Sequence, residues 1–360
     1  MGNVVEIDGS IGEGGGQILR TAIALSAVLG IPVKVYNIRV KRRNPGLRPQ
    51  HLTAIKALAV ITGARVKGLH VGSREVEFWP ESVRGGEYYF DIGTAGSISL
   101  FLQAVLPALA FAESPVKLRV RGGTDVKMAP TIDYMRFVFA PLLANFGYKP
   151  VIRVLRRGHY PRGGGIVEVV INNPPLALRP VVLEKRGRLL RVEGISHCVR
   201  LPKHVAERQA RAATSVIRSE LGAEAVIRLE YYEPGQDSHL GPGSGIAVWA
   251  VFERSIIGAD SLGERGKRAE VVGAEAAKKL VEDVRTGAAV DRHASDMLPV
   301  YMALASGVSR YTGARLTMHA FTIFNLIKIM IPQISTRITG KIGEPFTAEI
   351  RGIGLDRRLH

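Results

Sequence analysis

The sequence predicts an α/β (α+β) protein in two parts. One is a large domain of three repeated units, each with helices on one face of a mixed sheet. The other is a smaller α/β domain inserted into it. Three observations predict this. A helix-like stretch, a glycine stop and extended segments recur at a spacing of about 85 residues. Residues 183–271 break that pattern with a helix and strands of their own. The composition, 46% hydrophobic and 22% charged, is that of a packed chain.

In the first unit, QILRTAIALSAVLG (17–30) has apolar residues at helical spacing and stops at Gly30, ahead of the strand-like VKVYNIRV. HLTAIKALAVITG (51–63) repeats the arrangement before ARVKGLHVG and REVEFWP. The second unit pairs ISLFLQAVLPALAFA (98–112) with VKLRVRGG, then TIDYMRFVFAPLLANFG (131–147) with KPVIRVLRRG and GIVEVVI. In the third, GAEAAKKLVEDVRTG and ASDMLPVYMALASG read as helices, and RLTMHAFTIFNLIKIMIPQI as a strand followed by a helix. Between the second and third units, VRLPKHVAERQARAATSVIRSELG is a helix with a polar face. AVIRLEYYEP and GIAVWAVFE are strands joined by a Gly/Pro-rich loop. The expected boundaries are 1–182 and 272–360 for the large domain and 183–271 for the insert, because the chain leaves and re-enters one body.

Composition narrows the function. The 49 Lys and Arg against 32 Asp and Glu give a net charge of +17, which favours polyanionic partners: RNA, DNA, nucleotides or an acidic membrane surface. A basic surface without a dedicated nucleic-acid site is the plainer alternative. One cysteine, Cys198, excludes a disulfide framework or thiolate cluster within one chain and points to a reducing compartment. MGNVVEIDGS has no basic segment leading into an apolar one, so no secretory leader is expected. The apolar run 98–112 is too short to span a bilayer and holds Gln103 and Pro107. A cytoplasmic protein without membrane partners is the expectation.

Five segments are candidates for chemistry. IDGSIGEGGGQILRTA (7–22) is a strand, a Gly-rich turn and a helix start, which suits phosphate. It lacks the Lys-Ser/Thr ending of a P-loop. Glu13 in that turn repels phosphate unless a divalent ion bridges them; a tight turn with an exposed acid is the other reading. IRVKRRNPGLRPQHLTA (38–54) crowds Arg39, Lys41, Arg42, Arg43 and Arg48 beside Gln50 and His51 at a helix start. RGGTDVKMAP (121–130) offers Met128 and Pro130 as apolar surface for a base, and Gln103 needs a partner if buried. VDRHASDM (290–297) places Asp296 in a first helical turn, good capping chemistry, with His293 nearby. RLTMHAFT (315–322) sets His319 at a strand–helix junction, where a satisfied core histidine is the commoner outcome. No HExxH, CxxC pair, kinase signature or Ser-His-Asp order is present.

Together these segments resemble the RNA 3′-terminal phosphate cyclase family. The matching text runs in family order: DGSIGEGGGQILRTAIALS, NPGLRPQHLTAIKAL, GTAGSISLFLQAVLPAL, RGGTDVKMAP, GHYPRGGG, LGERGKRAEVVG, AAVDRHASDMLPVYMALASG and LTMHAFT. It covers residues 7 to about 324. The resemblance implies two helices on a four-stranded sheet in each unit, as in the enolpyruvate transferases. It also implies ATP-dependent conversion of an RNA 3′-phosphate to a 2′,3′-cyclic phosphodiester with a divalent metal, Mg or Mn. A histidine would take AMP from ATP and the RNA phosphate would take that AMP, giving an RNA-pp-A end. The adjacent 2′-OH would then close the ring and release AMP, which is why RNA and not DNA is the substrate.

Carried onto this chain, the nucleophile is His319, three residues before Thr322, and it must be neutral to attack. Glu13 would hold the metal. Gln103, Pro130, His293, Ala294, Ser295, Asp296 and Met297 match nucleotide-contacting positions. Asp296 would take the ribose hydroxyls, with Pro130 and His293 about the adenine. Arg20, Arg39, Arg42, Arg43, Gln50 and His51 match the cluster expected at the phosphates. Two positions depart from the family pattern: Met297 stands where Gln is usual and Ile323 where Asn is common. The rivals are a non-catalytic cyclase-like protein of ribosomal RNA processing, a small-molecule enolpyruvate-type transferase, and a plain RNA-binding protein. A homodimer is compatible with the sequence.

Overall fold

The computed structural model describes residues 4–359 as four four-stranded sheets, three of them wired alike. The first unit runs β1 (Val5–Asp8), α1 (Gly16–Leu29), β2 (Val33–Tyr36), α2 (Pro49–Thr62), β3 (Arg65–Lys67) and β4 (Val76–Trp79). Its strand order is β1-β2-β4-β3, with β1 and β2 parallel and the rest antiparallel. Both helices end where the sequence placed their stops: Gly30 and Gly63 each adopt a left-handed φ of 67°, which a side chain disfavours.

The second unit repeats the wiring with β5 (Gly86–Asp91), α3 (Ile98–Leu109), β6 (Val116–Gly122), α4 (Ile132–Tyr134), α5 (Ala140–Ala144), β7 (Val151–Arg156) and β8 (Gly165–Ile171), in the order β5-β6-β8-β7. Ser97 caps α3 by accepting from the Leu100 amide. A π-turn over Met135–Phe139 joins α4 to α5, just ahead of Pro141, whose missing N–H breaks the regular ladder.

The third unit opens with the short β9 (Val182–Leu183) and is then interrupted. The insert follows: β10 (Leu189–Val199), α6 (His204–Leu221), β11 (Ala225–Glu230), β12 (Gly243–Phe252), β13 (Ile256–Leu262) and α7 (Ala269–Arg285). Its order, β11-β10-β12-β13, is its own. The chain then completes the third unit with α8 (Arg292–Leu304), β14 (Ser306–Gly313), α9 (Met318–Met330), β15 (Ser335–Thr339) and β16 (Phe346–Ile353), in the order β15-β16-β14-β9. The insertion therefore sits between the first strand and first helix of the third unit.

Both expected boundaries of the insert are corrected: Leu183 pairs with Tyr311 in the third unit's sheet, so the insert starts after β9. The insert does not end at 271, because α7 belongs to it. Val272, Ala276, Ala277, Leu280 and Val284 bury against Ala213 and Ile217 of α6 and the insert's sheet, in a core separate from the main one. An amphipathic pattern fixes which face of a helix is buried, not which sheet covers it.

In the large domain each sheet keeps one face to its helices, as the alternation BeBeBiB along β6 records. The helices meet one another across units: α1 touches α3 and α9, and α3 touches α8. One continuous core results, from Ile18 and Leu19 through Phe101 and Leu102 to Leu298 and Phe324. The apolar run at 98–112 is largely the buried helix α3, and no helix among the described residues is long and apolar enough to cross a membrane.

Candidate active site

The ends of α1, α3, α8 and α9 converge with the insert on a cavity of about 500 Å³. Of the residues singled out in the sequence, Arg20, Gln103, Pro107, Met128, Pro130, His293, Asp296, Met297, His319 and Ile323 line it. They come from all three units, which explains their separation in sequence.

His319 lies in the first turn of α9 and not at a strand–helix junction: the helix begins at Met318, and β14 ended at Gly313. Thr317 caps α9 by accepting from the Ala320 amide, and its hydroxyl also donates to Asp296 Oδ1. One hydroxyl thus ties the histidine's helix to the aspartate of α8. The half-exposed imidazole presents Nε2 3.4 Å from Glu13 Oε2. Burial, with Arg20 and Arg42 nearby, draws the His319 pKa below its ordinary value against the pull of Glu13, which favours the neutral ring.

The Gly-rich turn brings Glu13 there. Gly12 and Gly14 take left-handed φ values of 59° and 58°. A Cβ on Gly12 would lie 2.3 Å from the Thr322 hydroxyl, so glycine lets this turn pack on α9. Arg42 reaches Glu13 at 3.6 Å, and the Lys41 ammonium donates to the Gly12 carbonyl at 3.4 Å. The acidic turn and the basic loop form one assembly beside His319.

Asp296 is not a cap. It is one turn into α8 and faces the cavity, where desolvation raises its carboxyl to about 7 although the Thr317 hydroxyl opposes the shift. The cap is Asp291, which the sequence reading passed over. Its buried carboxylate accepts from the amides of His293 and Ala294, from the Tyr134 hydroxyl at 2.7 Å and from the Gly258 amide at 2.9 Å. It therefore joins the second unit, the third unit and the insert. Asp291→Ala removes a cap and leaves buried donors unmet, so a loss of about 3 kcal/mol is expected in denaturant unfolding. Ala294 and Ser295 are buried behind His293, the Ser295 hydroxyl donating to the Asp291 carbonyl, and neither lines the cavity.

The arginine cluster divides. Arg20 faces the cavity; burial lowers its pKa to about 10, which leaves it charged. Arg42 stands at Glu13, and Arg43 is exposed. Arg39 donates to the carbonyls of Asn44 and Gly46, so it shapes the loop. Gln50 accepts from the Ser97 amide, fixing the start of α3. His51 is buried, its Nδ1 accepting from the Arg48 amide. Burial, then the charges of Arg20, Arg39 and Arg48, pull its pKa to about 3. A histidine held neutral in the fold stabilises it above the unfolded pKa of about 6.5 and loses that contribution as pH falls toward 3. Denaturation midpoints measured across that window should fall with acid, and His51→Gln should flatten the slope.

The insert supplies a wall that sequence reasoning assigned to no site. Lys267 and Lys279 line the cavity, Lys267 paired with Glu275 at 2.5 Å. Lys127 of the second unit pairs with Glu264 of the insert at 2.7 Å across its edge. Beside that edge, Met128 is 93% exposed, an apolar surface next to the Pro130 wall.

A half-exposed imidazole, a facing carboxylate and surrounding cationic side chains suit an anionic ligand. The family model for RNA 3′-terminal phosphate cyclase matches residues 11–335. An RNA 3′-terminal phosphate cyclase of Hyperthermus butylicus is 58% identical over 353 residues, 97% of this chain and 98% of its own. One of Ignicoccus hospitalis is 55% identical over 97% of this chain and 99% of its own, and one of Methanopyrus kandleri 52% over 98% and 100%. Among solved structures, the enolpyruvyl transferase NikO of Streptomyces tendae aligns with 98% of this chain and 49% of its own at 10% identity. Its TM-score of 0.38 is too low for any argument to rest on it. Matches this long and this similar assign the chain: it belongs to the RNA 3′-terminal phosphate cyclase family.

Proposed function

We propose that the protein converts RNA 3′-terminal phosphates to 2′,3′-cyclic phosphodiesters, using ATP and a covalent nucleotide on His319. The observation that carries this reading is the half-exposed imidazole of His319, its pKa drawn down by burial, in the cavity with Arg20, Gln103, His293 and Asp296. In the first step the imidazole lone pair bonds to the α-phosphorus of ATP, and the bond from that phosphorus to the pyrophosphate oxygen breaks. The ring needs no base if it carries its one proton on the other nitrogen. Arg20, Arg42 and Lys267 supply positive charge where negative charge gathers on the phosphates. The positive charge that develops on the ring is met by Glu13, 3.4 Å from Nε2.

The RNA 3′-phosphate oxygen next displaces the histidine from that phosphorus, which restores the neutral ring. The adjacent 2′-OH finally attacks the 3′-phosphorus, its proton passing to solvent or to a nearby carboxylate, and AMP leaves with the bridging oxygen. Asp296, with its carboxyl raised to about 7, can exchange a proton near neutral pH or hold the ribose hydroxyls. His293, stacked edge-on against Tyr134 at 5.4 Å between ring centroids, and Pro130 offer flat surfaces for the adenine.

Glu13 fits a divalent ion such as Mg or Mn: it is a half-exposed oxygen donor beside the nucleophile, the donor type that hard cations select. Such an ion, when bound, would neutralise phosphate charge. Glu13→Gln is expected to raise the ion concentration needed for half-maximal nucleotide transfer by about tenfold, read from a titration with MgCl2 or MnCl2. The function itself is tested with an oligoribonucleotide bearing a 3′-phosphate. ATP should render that end resistant to phosphatase, and an end that stays sensitive with the folded wild-type protein, ATP and a divalent ion would refute the proposal.

A further inference from the structure

Behind the cavity, where the second unit meets the insert, three buried side chains turn their polar atoms toward one another. Asp125 follows β6, His159 follows β7, and His197 lies in β10 of the insert. The two Nε2 atoms are 3.1 Å apart, and Asp125 Oδ2 lies 3.8 Å from that of His159 and 3.7 Å from that of His197. The side chains of Asp125, His159 and His197 are 0%, 7% and 1% exposed, and none lines the cavity described above. Two imidazole nitrogens bound to one tetrahedral zinc would stand about 3.4 Å apart.

The protein's own hydrogen bonds leave this cluster unfinished. If the two rings merely bond to each other, one Nε2 carries the hydrogen and the other accepts it. One ring then keeps a bare Nδ1 and the other a buried Nδ1–H. Neither Nδ1 has a partner, nor has Asp125 Oδ1 or either oxygen of Asp133 by hydrogen-bond geometry. An ion between the rings would take both Nε2 lone pairs. Both Nδ1 atoms would then be donors, and His197 Nδ1 already faces Asp133 Oδ2 at 3.9 Å, the carboxylate–histidine–metal arrangement.

Charge points the same way. Asp125, Asp133 and Glu230 surround the single guanidinium of Arg157 at 3.3, 2.7 and 2.7 Å. Three carboxylates against one cation leave a deficit that a divalent ion would fill. Asp125 Oδ2 also accepts from the Thr124 hydroxyl at 2.6 Å, which orients it. Glycines make room for the rings: a Cβ on Gly243 would sit 2.0 Å from His159 and one on Gly245 2.9 Å from His197.

We propose that Asp125, His159 and His197 bind one divalent transition-metal ion of the zinc class, which fastens the insert to the second unit. Two imidazoles and one carboxylate select zinc, cobalt or nickel over magnesium or calcium. Water would complete the shell. Because the ligands come from both parts, the ion would hold the insert's lysines against the cavity.

The test uses the full chain, refolded with excess zinc chloride, desalted and analysed for metal. About one zinc per chain is expected, in the wild type and equally in Glu13→Gln, with an unfolding temperature about 5 °C or more above that of protein refolded with a chelator. His159→Asn with His197→Asn should hold about a tenth of that zinc or less. Cobalt chloride on the wild type alone should give visible d–d bands that zinc abolishes, a readout independent of whether the variant folds. Wild-type protein that retains neither ion would overturn the proposal and leave a shared proton between the rings. So would zinc retained undiminished by the folded double variant. Neither result depends on cyclase activity.

Discussion

His319→Ala is expected to abolish cyclisation, lowering the rate by about 10⁴-fold or more, because no neighbouring group can take the nucleophile's place. Glu13, 3.4 Å from the ring, is a carboxylate held by Arg42, and Asp296 is engaged by Thr317. The substitution should leave stability nearly unchanged. The imidazole is half exposed, and its capping residue, Thr317, keeps its bond to Ala320. Single-turnover cyclisation of a 3′-phosphorylated RNA measures the first effect and a melting curve the second. Because the wild-type ring is neutral down to below its ordinary pKa, nucleotide transfer should stay level through neutral pH and decline only in more acidic buffer.

The largest effect on stability is expected from Arg157→Met. The guanidinium is fully buried and bonds bidentately to Glu230, at 2.7 and 2.8 Å, besides facing Asp125 and Asp133. Removing it leaves two buried carboxyls without a cation from the chain, a loss of about 3–5 kcal/mol. Burial already raises the pKa of Asp125 and Asp133, with Arg157 pulling the other way. Without Arg157 both rise further above the unfolded value. The protonated, neutral form is then the one the variant tolerates, so the contribution of these two carboxyls is greatest in acid and is lost as pH rises through their folded pKa values. Urea unfolding in chelator-containing buffer should show the gap to the wild type widening from acid to neutral pH. A constant gap would mean that packing around Arg157 matters more than charge.

The parts of the molecule legible in the sequence were those governed by local rules. Gly30 and Gly63 mark real helix ends because only a left-handed residue closes those turns. The apolar run of α3 was recognisable because it is buried nearly all round. Arg20, Gln103, His293, Asp296 and His319 were chosen through the ordered motifs, and the fold gathers them in one cavity. What escaped depends on contacts between distant segments. Asp291 looked like one more residue of VDRHASDM, yet its partners include Tyr134 and Gly258. The apolar alternation in RLTMHAFT resembles a strand, and the cap by Thr317 decides for helix. No sequence period says that α7 covers the insert's sheet, that Lys267 and Lys279 reach the cavity, or that His159 meets His197. Arg39, Gln50 and His51 show the converse: a cluster of polar residues at a helix start looked like one anion site, and much of it is spent on building the loop.

The central claim is a bond from the His319 ring to phosphorus, and the direct measurement is transfer of label from [α-³²P]ATP to the protein with a divalent ion and no RNA. The account predicts acid-labile, alkali-stable label on the wild type, mapped to the peptide containing residue 319 and absent from His319→Ala. Label that persists on the folded variant, or a wild type that cyclises RNA yet never acquires label, would contradict it.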